Sequence, residues 1–392
     1  MFLTDRKLER RIAELKEYRY RDIINLNEFT VQEDTQGVVN PVLPEVFTGW
    51  DTLRVGDTWK GRDLFLWMHR VIQVPAEWKG KKIVGIFDFG NTGAGNNAGF
   101  ESMLYLNGKM YQGVDANHKE VFFDDTYCGT NMYVTFRLWS GLEGGGVPTP
   151  QEHRIARADL AWLDEEVDDF YYLASMVWET IKELDEFNPV QHDLRKALDT
   201  ACHCIDWAYP GSDTFYESVH EADHLLNESI DSMDKKSSVN IRCVGHTHID
   251  VAWLWRLKHT REKCSRSFTT VLRLMEQYPE YVFLQTQPQL YEYMKEEFPD
   301  IYKKIKERVA EGRWEADGAM WVEADCNLTS GESLTRQILL GSKFIKDEFG
   351  KDVEYLWLPD VFGYSWALPQ ILKKAGINTF MTTKISWNQY NR

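Results

Sequence analysis

Val239-Asn240-Ile241-Arg242-Cys243-Val244-Gly245-His246-Thr247-His248-Ile249-Asp250-Val251-Ala252-Trp253-Leu254-Trp255-Arg256 is the stretch on which the fold turns. Its first half is a short apolar run, which reads as a buried strand over 239–245. Its second half carries His246, His248 and Asp250 at alternating positions. In extended chain such residues point to one side, so all three are expected to face one spot just past the strand end. Imidazole and carboxylate in that pattern suit a divalent metal of the zinc type. Trp253 and Trp255 follow, and flat aromatic faces suit a sugar ring. Polar residues in an ordinary strand-to-helix turn are the plainer explanation. Three donors within five residues favour the metal.

Downstream, strands and helices alternate. The pattern predicts a helix near 261–278, a strand over 281–286 and helical segments across 289–311. A short strand near 313–317 and a helix near 331–349, closed by Gly350, come next. A strand over 354–358, a helix near 366–375 and a strand over 377–382 complete the series. Repeated βα units imply a parallel sheet with helices on its faces. In such folds the active site lies at the carboxyl ends of the strands. Polar residues do bunch there: Gln285 and Gln287, then Glu323 and Asp325, then Asp360, then Lys384 with Trp387. An Asp after a strand can also cap the next helix. For Asp360 the company of the others favours chemistry.

Upstream the character changes. Residues 1–40 open with a charged helix whose Leu8, Ile12 and Leu15 fall on one face. Residues 41–145 carry alternating runs such as Asp63–Val71, Lys82–Phe89 and Val134–Trp139, with a hairpin signal at Asn107-Gly108. Several strands with turns between them imply a β-sandwich. His69 and His118 read as structural. Gly90 to Gly95 has no following Lys-Ser/Thr and is a loop rather than a phosphate cradle. Gly141 to Pro150 reads as a linker or wide loop. Residues 150–235 turn helical, with Leu173, Met176, Val177, Ile181 and Leu184 as one face, and read as a spacer between two domains. His220 and His224 stand four apart in this region, a metal-capable spacing, but no third ligand is evident. The expected chain is therefore multidomain: N-terminal helical segment 1–40, β-sandwich 41–145, helical spacer 150–235, and an α/β parallel-sheet, barrel-like domain from 238 to 392.

Bulk properties narrow the function. Sixty-one acidic residues against 45 basic ones leave a net charge of −16. That argues against a nucleic-acid partner, which needs a basic face. No apolar run is long enough to span a membrane, and the charged N-terminus holds no signal-peptide core. The six cysteines are scattered and read as reduced thiols of a cytoplasmic protein. Fifteen Trp and 18 Tyr are a heavy aromatic load, common to carbohydrate-handling proteins and to large cores.

Three motifs together resemble the α-mannosidases of glycoside hydrolase family 38, in its cytosolic and bacterial branch. They are His246-Thr247-His248-Ile249-Asp250-Val251-Ala252-Trp253, the run Gly318-Ala319-Met320-Trp321-Val322-Glu323-Ala324-Asp325-Cys326-Asn327, and Leu358-Pro359-Asp360-Val361-Phe362-Gly363-Tyr364. The β-rich and helical regions resemble the N-terminal extension of the same branch. The resemblance implies that His248, Asp250 and Asp360 bind Zn²⁺ or a substitute such as Co²⁺. It implies that Asp360 is also the nucleophile, with Trp253 as the floor under the mannose ring and Phe362 as a pocket wall. His246 would be a neighbour of the metal rather than a ligand, a choice that comes from the resemblance and not from spacing. The substrate would be an α-mannoside oligosaccharide or glycoside, hydrolysed with retention. Self-association into a homo-oligomer is left open.

The chain also departs from that pattern. All ten His lie at or before His259. The resemblance implies one more His ligand and an acid/base Asp later in a chain, so the catalytic domain is expected to be incomplete at its C-terminus. Residues 1–392 alone are then expected to turn over poorly. Two other functions fit parts of the sequence. A metal-dependent amidohydrolase or deacetylase would use His-x-His near the first strand with Asp360 as base. A non-catalytic carbohydrate-binding protein would use the sandwich and the aromatics.

Overall fold

In a computed structural model the chain is described over residues 4–91, 99–234, 239–387 and 389–390. Among the described residues of the first half there are twelve strands. They are β1 Tyr20–Asn25, β2 Glu28–Glu33, β3 Asp51–Arg54, β4 Thr58–Gly61, β5 Phe65–Gln73, β6 Lys82–Asp88, β7 Glu101–Leu106, β8 Lys109–Asp115, β9 Glu120–Phe123, β10 Asn131–Trp139, β11 Gln151–Arg154 and β12 Arg157–Leu163. One antiparallel sheet has the order β1-β12-β6-β9 and a second β3-β2-β5-β10-β7-β8. Phe87 and Leu160 of the first pack on Phe29, Met68, Leu104 and Phe136 of the second in one buried core. The two sheets share that core, and the Asn107-Gly108 turn joins β7 to β8 with both residues at positive φ.

The sheets reach further than 41–145. Strands β1 and β2 come from the stretch read as an N-terminal helical segment. Strands β11 and β12 follow the Gly-rich 141–150, which is a wide loop inside the β region. β1 escaped the period-2 reading because its register slips between Arg21 and Ile24, with Asp22 at φ 53. The loop from Gly90 lies mostly outside the described residues.

Helix α1, Thr4–Tyr18, buries Leu8, Ile12 and Leu15 as its spacing predicts. It packs with α2 Glu165–Glu183, α3 Pro189–Cys204 and α4 Asp213–Asp231 around Phe170, Leu198, Phe215 and Val219. Each of the last three starts at a side-chain cap, Asp164, Asn188 or Ser212. The buried face of α2 is Val167, Phe170, Ala174, Val177, Trp178 and Ile181. Met176 is turned outward, 69% exposed, so the face read from sequence was rotated. His220 bonds Asp164 and His224 lies beside Glu228, so neither of the pair is directed to a shared ion.

The second half alternates as expected. In order it runs β13 Gly245–His246, α5 Leu257–Gln277, β14 Phe283–Gln285, α6 Pro288–Glu297, α7 Pro299–Ala310, β15 Trp314–Ala316, α8 Gly331–Phe349, β16 Tyr355–Leu358, α9 Leu368–Lys374 and β17 Thr379–Thr382. Strands β13, β14 and β15 pair in parallel, as do β16 and β17. An isolated parallel bridge, Gly318 to Leu356, connects the two sets. Helix α8 lies directly on that connection: a Cβ at Gly341 would stand 2.1 Å from the Ala319 carbonyl oxygen. The run 239–244 is not a strand, contrary to expectation. β13 pairs on one side only, with β14, and Val239, Ile241 and Val244 stay exposed. Among the described residues no helix is long and apolar enough to cross a membrane.

Helix α5 packs on β8 of the sandwich rather than on the helical bundle. The seam is charged. Arg137 of β10 pairs with Glu262 of α5, donates to Asp34 at 2.9 Å and to the Val38 carbonyl at 2.9 Å. All three charged side chains are more than nine-tenths buried. Removing one member of such a group strands the others without water. Arg137→Met should therefore lower stability by roughly 3–5 kcal/mol. The shift is read in the first transition of a denaturant melt, and adding Glu262→Gln to the same chain should restore part of it. A melt unchanged by Arg137→Met would show that the seam is held by something else.

Candidate active site

The loop after β13 and the loop after β16 meet at the carboxyl ends of their strands. His248 Nε2 lies 3.3 Å from Asp250 Oδ1 and 3.6 Å from Asp360 Oδ2. One ligand atom from each of these residues lies within 4.8 Å of the other two. Lys384, after β17, holds the second Asp360 oxygen at 2.8 Å. Three residues singled out from the sequence are thus brought together from positions as far apart as 248 and 360.

His246 is not part of this group. The chain leaves the extended state after it, so the alternation that placed all three side by side fails. Its Nε2 accepts from the Trp357 indole N–H at 3.2 Å, and its Nδ1 donates to the Leu284 carbonyl at 3.0 Å. Both nitrogens are used in tying β13 to its neighbours. Burial, the largest influence, lowers its pKa and keeps the ring neutral.

A residue of unassigned role completes the cluster. Glu323 Oε2 lies 2.8 Å from His248 Nδ1, with only 5% of its side chain exposed. Its Oε1 accepts from Thr286 Oγ1 at 3.0 Å. Asp325, the other acid of that segment, is exposed and caps its own turn through the N–H groups of Asn327 and Leu328. Gln287 bridges the loops: its amide donates to the Ile249 carbonyl at 2.9 Å and accepts from the Glu323 N–H at 3.1 Å. The sequence signalled Glu323 and Gln287 only as polar residues following a strand. Gln285 is buried and donates to the next carbonyl, that of Thr286.

The expected sugar-facing aromatics are at the surface. Trp253 is 54% exposed and meets Trp255 edge-on at 5.5 Å. Phe362 is 75% exposed and stacks with Trp387 at 6.1 Å, with the Lys384 ammonium 4.0 Å from the Trp387 ring centre. One cleft of about 340 Å³ runs between His248 and Trp255 and the sandwich residues Phe100 and Asp115. His69 and His118 are structural, bonded to Thr135 and Asp115.

Electrostatics favour a cation at Nε2. Burial would lower the His248 pKa, but hydrogen bonds and charge from Asp250 and Glu323 outweigh it and push it up to about 10. The imidazole therefore carries a proton between carboxylates at neutral pH. One imidazole nitrogen and two carboxylates also make a donor set suited to a divalent ion of the zinc type. The residues fit such a group.

Residues 238–392 match the Glycosyl hydrolases family 38 N-terminal domain. The chain is 32% identical over 343 residues to Alpha-mannosidase G of Dictyostelium discoideum, covering 83% of this chain and 30% of that protein. It is 31% identical over 352 residues to human Alpha-mannosidase 2C1, covering 86% of this chain and 32% of that protein. It is 33% identical over 262 residues to Alpha-mannosidase of Saccharomyces cerevisiae, covering 63% of this chain and 24% of that protein. The first two matches extend beyond the family domain into the sandwich and helices. The chain spans 32% or less of the length of these relatives.

A metal bound at His248 Nε2 must displace the proton held there. Ion uptake at neutral pH should release close to one proton per ion, and affinity should climb with pH until about 10. Calorimetry in two buffers of different ionisation enthalpy counts that proton. Uptake with no proton released would put the ion somewhere other than His248.

Proposed function

The part of the chain from residue 238 belongs to glycosyl hydrolase family 38, and on that footing we propose that the protein hydrolyses terminal α-linked mannose with retention, with Asp360 as nucleophile. The observation that carries the reading is the convergence of His248, Asp250 and Asp360 at the carboxyl ends of β13 and β16. In this reading β13 to β17 and their helices are parallel-sheet segments of a barrel-like catalytic domain, where such ends carry the chemistry. The sandwich and helical bundle are its N-terminal extension. Six free cysteines suit a cytoplasmic site of action.

His248, Asp250 and Asp360 would hold Zn²⁺ or a substitute such as Co²⁺. When bound, that ion supplies a Lewis acid for sugar hydroxyls and favours one ring orientation. Asp360 attacks the anomeric carbon, forming a glycosyl ester as the bond to the leaving oxygen breaks and that oxygen takes a proton from a general acid. Water then cleaves the ester, giving up its proton to the same group and regenerating the carboxylate. Lys384 Nζ, 2.8 Å from Asp360 Oδ1, holds that oxygen and leaves Oδ2 toward His248. Trp253 offers an exposed face as a floor under the ring, and Phe362 helps to wall the pocket. Glu323 is poorly suited to be the acid, because its two oxygens face Thr286 and His248. Asp325 is engaged in its own turn.

In the protein active on an aryl α-mannoside, Asp360→Asn should lower kcat by roughly 10⁴-fold, since the amide is no nucleophile. A slow fluorinated mannosyl donor should label the peptide that contains Asp360. Peptide mapping by mass spectrometry checks this, and a label on any other carboxylate reassigns the nucleophile.

A further inference from the structure

We propose that the cleft between the sandwich and the loop after β13 takes a second, uncharged sugar unit of an oligosaccharide whose terminal mannose lies at the candidate active site. Asn117, Thr247 and Ser267 are the groups that recognise that second unit. The proposal rests on the reading above and deepens it: the preferred substrate is an oligosaccharide rather than a simple glycoside.

Place comes first. Three parts of the fold line the cleft: the loop that carries His248, the β7–β9 end of the sandwich, and α5. His248 lines it and also faces the ligand cluster, with its Nε2 3.3 Å from Asp250 and 3.6 Å from Asp360. A sugar chain with its terminal unit at those carboxylates has its next unit beside the cleft. At about 340 Å³ the space falls at the small end of the range for small-molecule sites.

The lining decides the chemistry of the ligand. Its carboxylates are Glu101 and Asp115, and its cations are Lys263 and Arg266. Glu101 pairs with both cations. Asp115 accepts from the N–H groups of Asn117 and His118 and faces the His118 ring at 3.0 Å. These charges balance and all are engaged, so an anion or a cation would have to break one of the pairs to bind. What remains free is neutral. Among the described residues the side chains of Asn117, Thr247 and Ser267 make no hydrogen bond. One comes from the turn after β8, one from the loop after β13 and one from α5. Amides and hydroxyls both donate and accept, and so do the hydroxyls of a sugar. Trp255 lines the same space with its N–H already given to Thr260 Oγ1 at 3.1 Å. It therefore offers the cleft only carbon, which suits the C–H face of a pyranose. Paired charges, free two-way polar groups and one aromatic wall fit a carbohydrate better than a phosphate, an amine or an apolar ligand. None of the three polar residues belongs to the group around Asp360, so they set specificity and are not catalytic residues.

The probes are α-linked mannotriose, methyl α-mannoside and an aryl α-mannoside, used on the full chain. Calorimetry gives affinities, and kinetics gives the ratio of kcat/KM for mannotriose to that for the aryl compound. The parent chain should bind mannotriose more tightly than methyl α-mannoside. Asn117→Ala combined with Ser267→Ala removes two bonding groups and should weaken mannotriose binding, and lower the ratio, by roughly 10-fold. Asn117→Trp, at an exposed turn, fills the cleft and should lower both further with the parent melting temperature kept. Mannotriose affinity and ratio unmoved in both variants would overturn the proposal. So would a parent chain that binds mannotriose no more tightly than methyl α-mannoside, or variants that lose affinity for the two ligands in equal measure. The two readings fail separately. If neither mannoside is hydrolysed but the variants lose mannotriose binding alone, the catalytic reading is wrong and the cleft stands. If the aryl mannoside is hydrolysed and the variants leave the ratio unmoved, the cleft is wrong and the catalytic reading stands.

Discussion

The buried guanidinium of Arg137 is the contact on which the arrangement of the chain depends. It sits between Asp34 and Glu262 where β10 of the sandwich faces α5. A buried ion group of this kind contributes little net stability against an apolar replacement, but it tolerates one geometry only. Other charges along the same seam repeat the constraint. Glu101 meets Lys263 and Arg266, and Asp63 meets Arg256 and His259. Burial would raise the Glu101 carboxyl, yet the two cations outweigh it and bring its pKa down to about 2. A carboxylate depressed in this way contributes stability that is fully present above its unfolded value near 4.5 and fades as pH falls toward 2. Glu101 thus stays charged between its two cations over the neutral and mildly acidic range.

That seam reaches the candidate site through a short path. Helix α5 begins directly after Arg256, and its first turn is fixed by His259, which bonds Asp63 at 2.6 Å and stacks on Trp139. The loop 247–256 is therefore pinned at three points. At its start β13 pairs with β14, in its middle Gln287 holds the Ile249 carbonyl, and at its end α5 is clamped to the sandwich. Thr260 also donates to the Val251 carbonyl. His248 and Asp250, on a loop tethered this closely, keep their spacing without a bound group, which is what preorganisation of a site requires. The sandwich, read from sequence as a separate module, is in this respect part of the support for the site.

Much of this was legible in residue order, and the exceptions have physical causes. The alternation after residue 257 was readable because α5 to α9 are amphipathic and end at Pro or Gly, while β14 to β17 are short apolar runs. The run 239–244 has the same composition as those strands, but composition does not say whether a neighbour is present on both edges. β1 and β2 were missed because β1 is bulged, with Ile23 and Ile24 exposed. Met176 was assigned to the wrong face because it falls one position from Val177, and a helical period read by eye tolerates that error. In the site, His248, Asp250 and Asp360 were found as residue types past strand ends, although spacing alone could not choose His248 over His246. Glu323 was visible only as one of two acids in an aperiodic segment. Its partner lies 75 positions earlier, a contact with no sequence signature.

The fate of His246 also bears on which chemistry the cluster supports. An amidohydrolase-like site built on His-x-His needs both imidazoles at the ion, each offering a lone pair. Here the Trp357 indole donates to Nε2 of His246, and the Leu284 carbonyl takes the proton on Nδ1. Freeing a lone pair would cost two buried hydrogen bonds and would loosen β13 from the sheet. The cluster that remains has one imidazole, with three carboxylates, Asp250, Glu323 and Asp360, around it and one ammonium, Lys384. Without an ion, the proton on His248 and the charge of Lys384 offset two of the three negative charges. A dication replacing that proton brings the sum to neutrality: three negative charges against two on the ion and one on Lys384. Asp360 keeps Lys384 on one oxygen and faces His248 with the other.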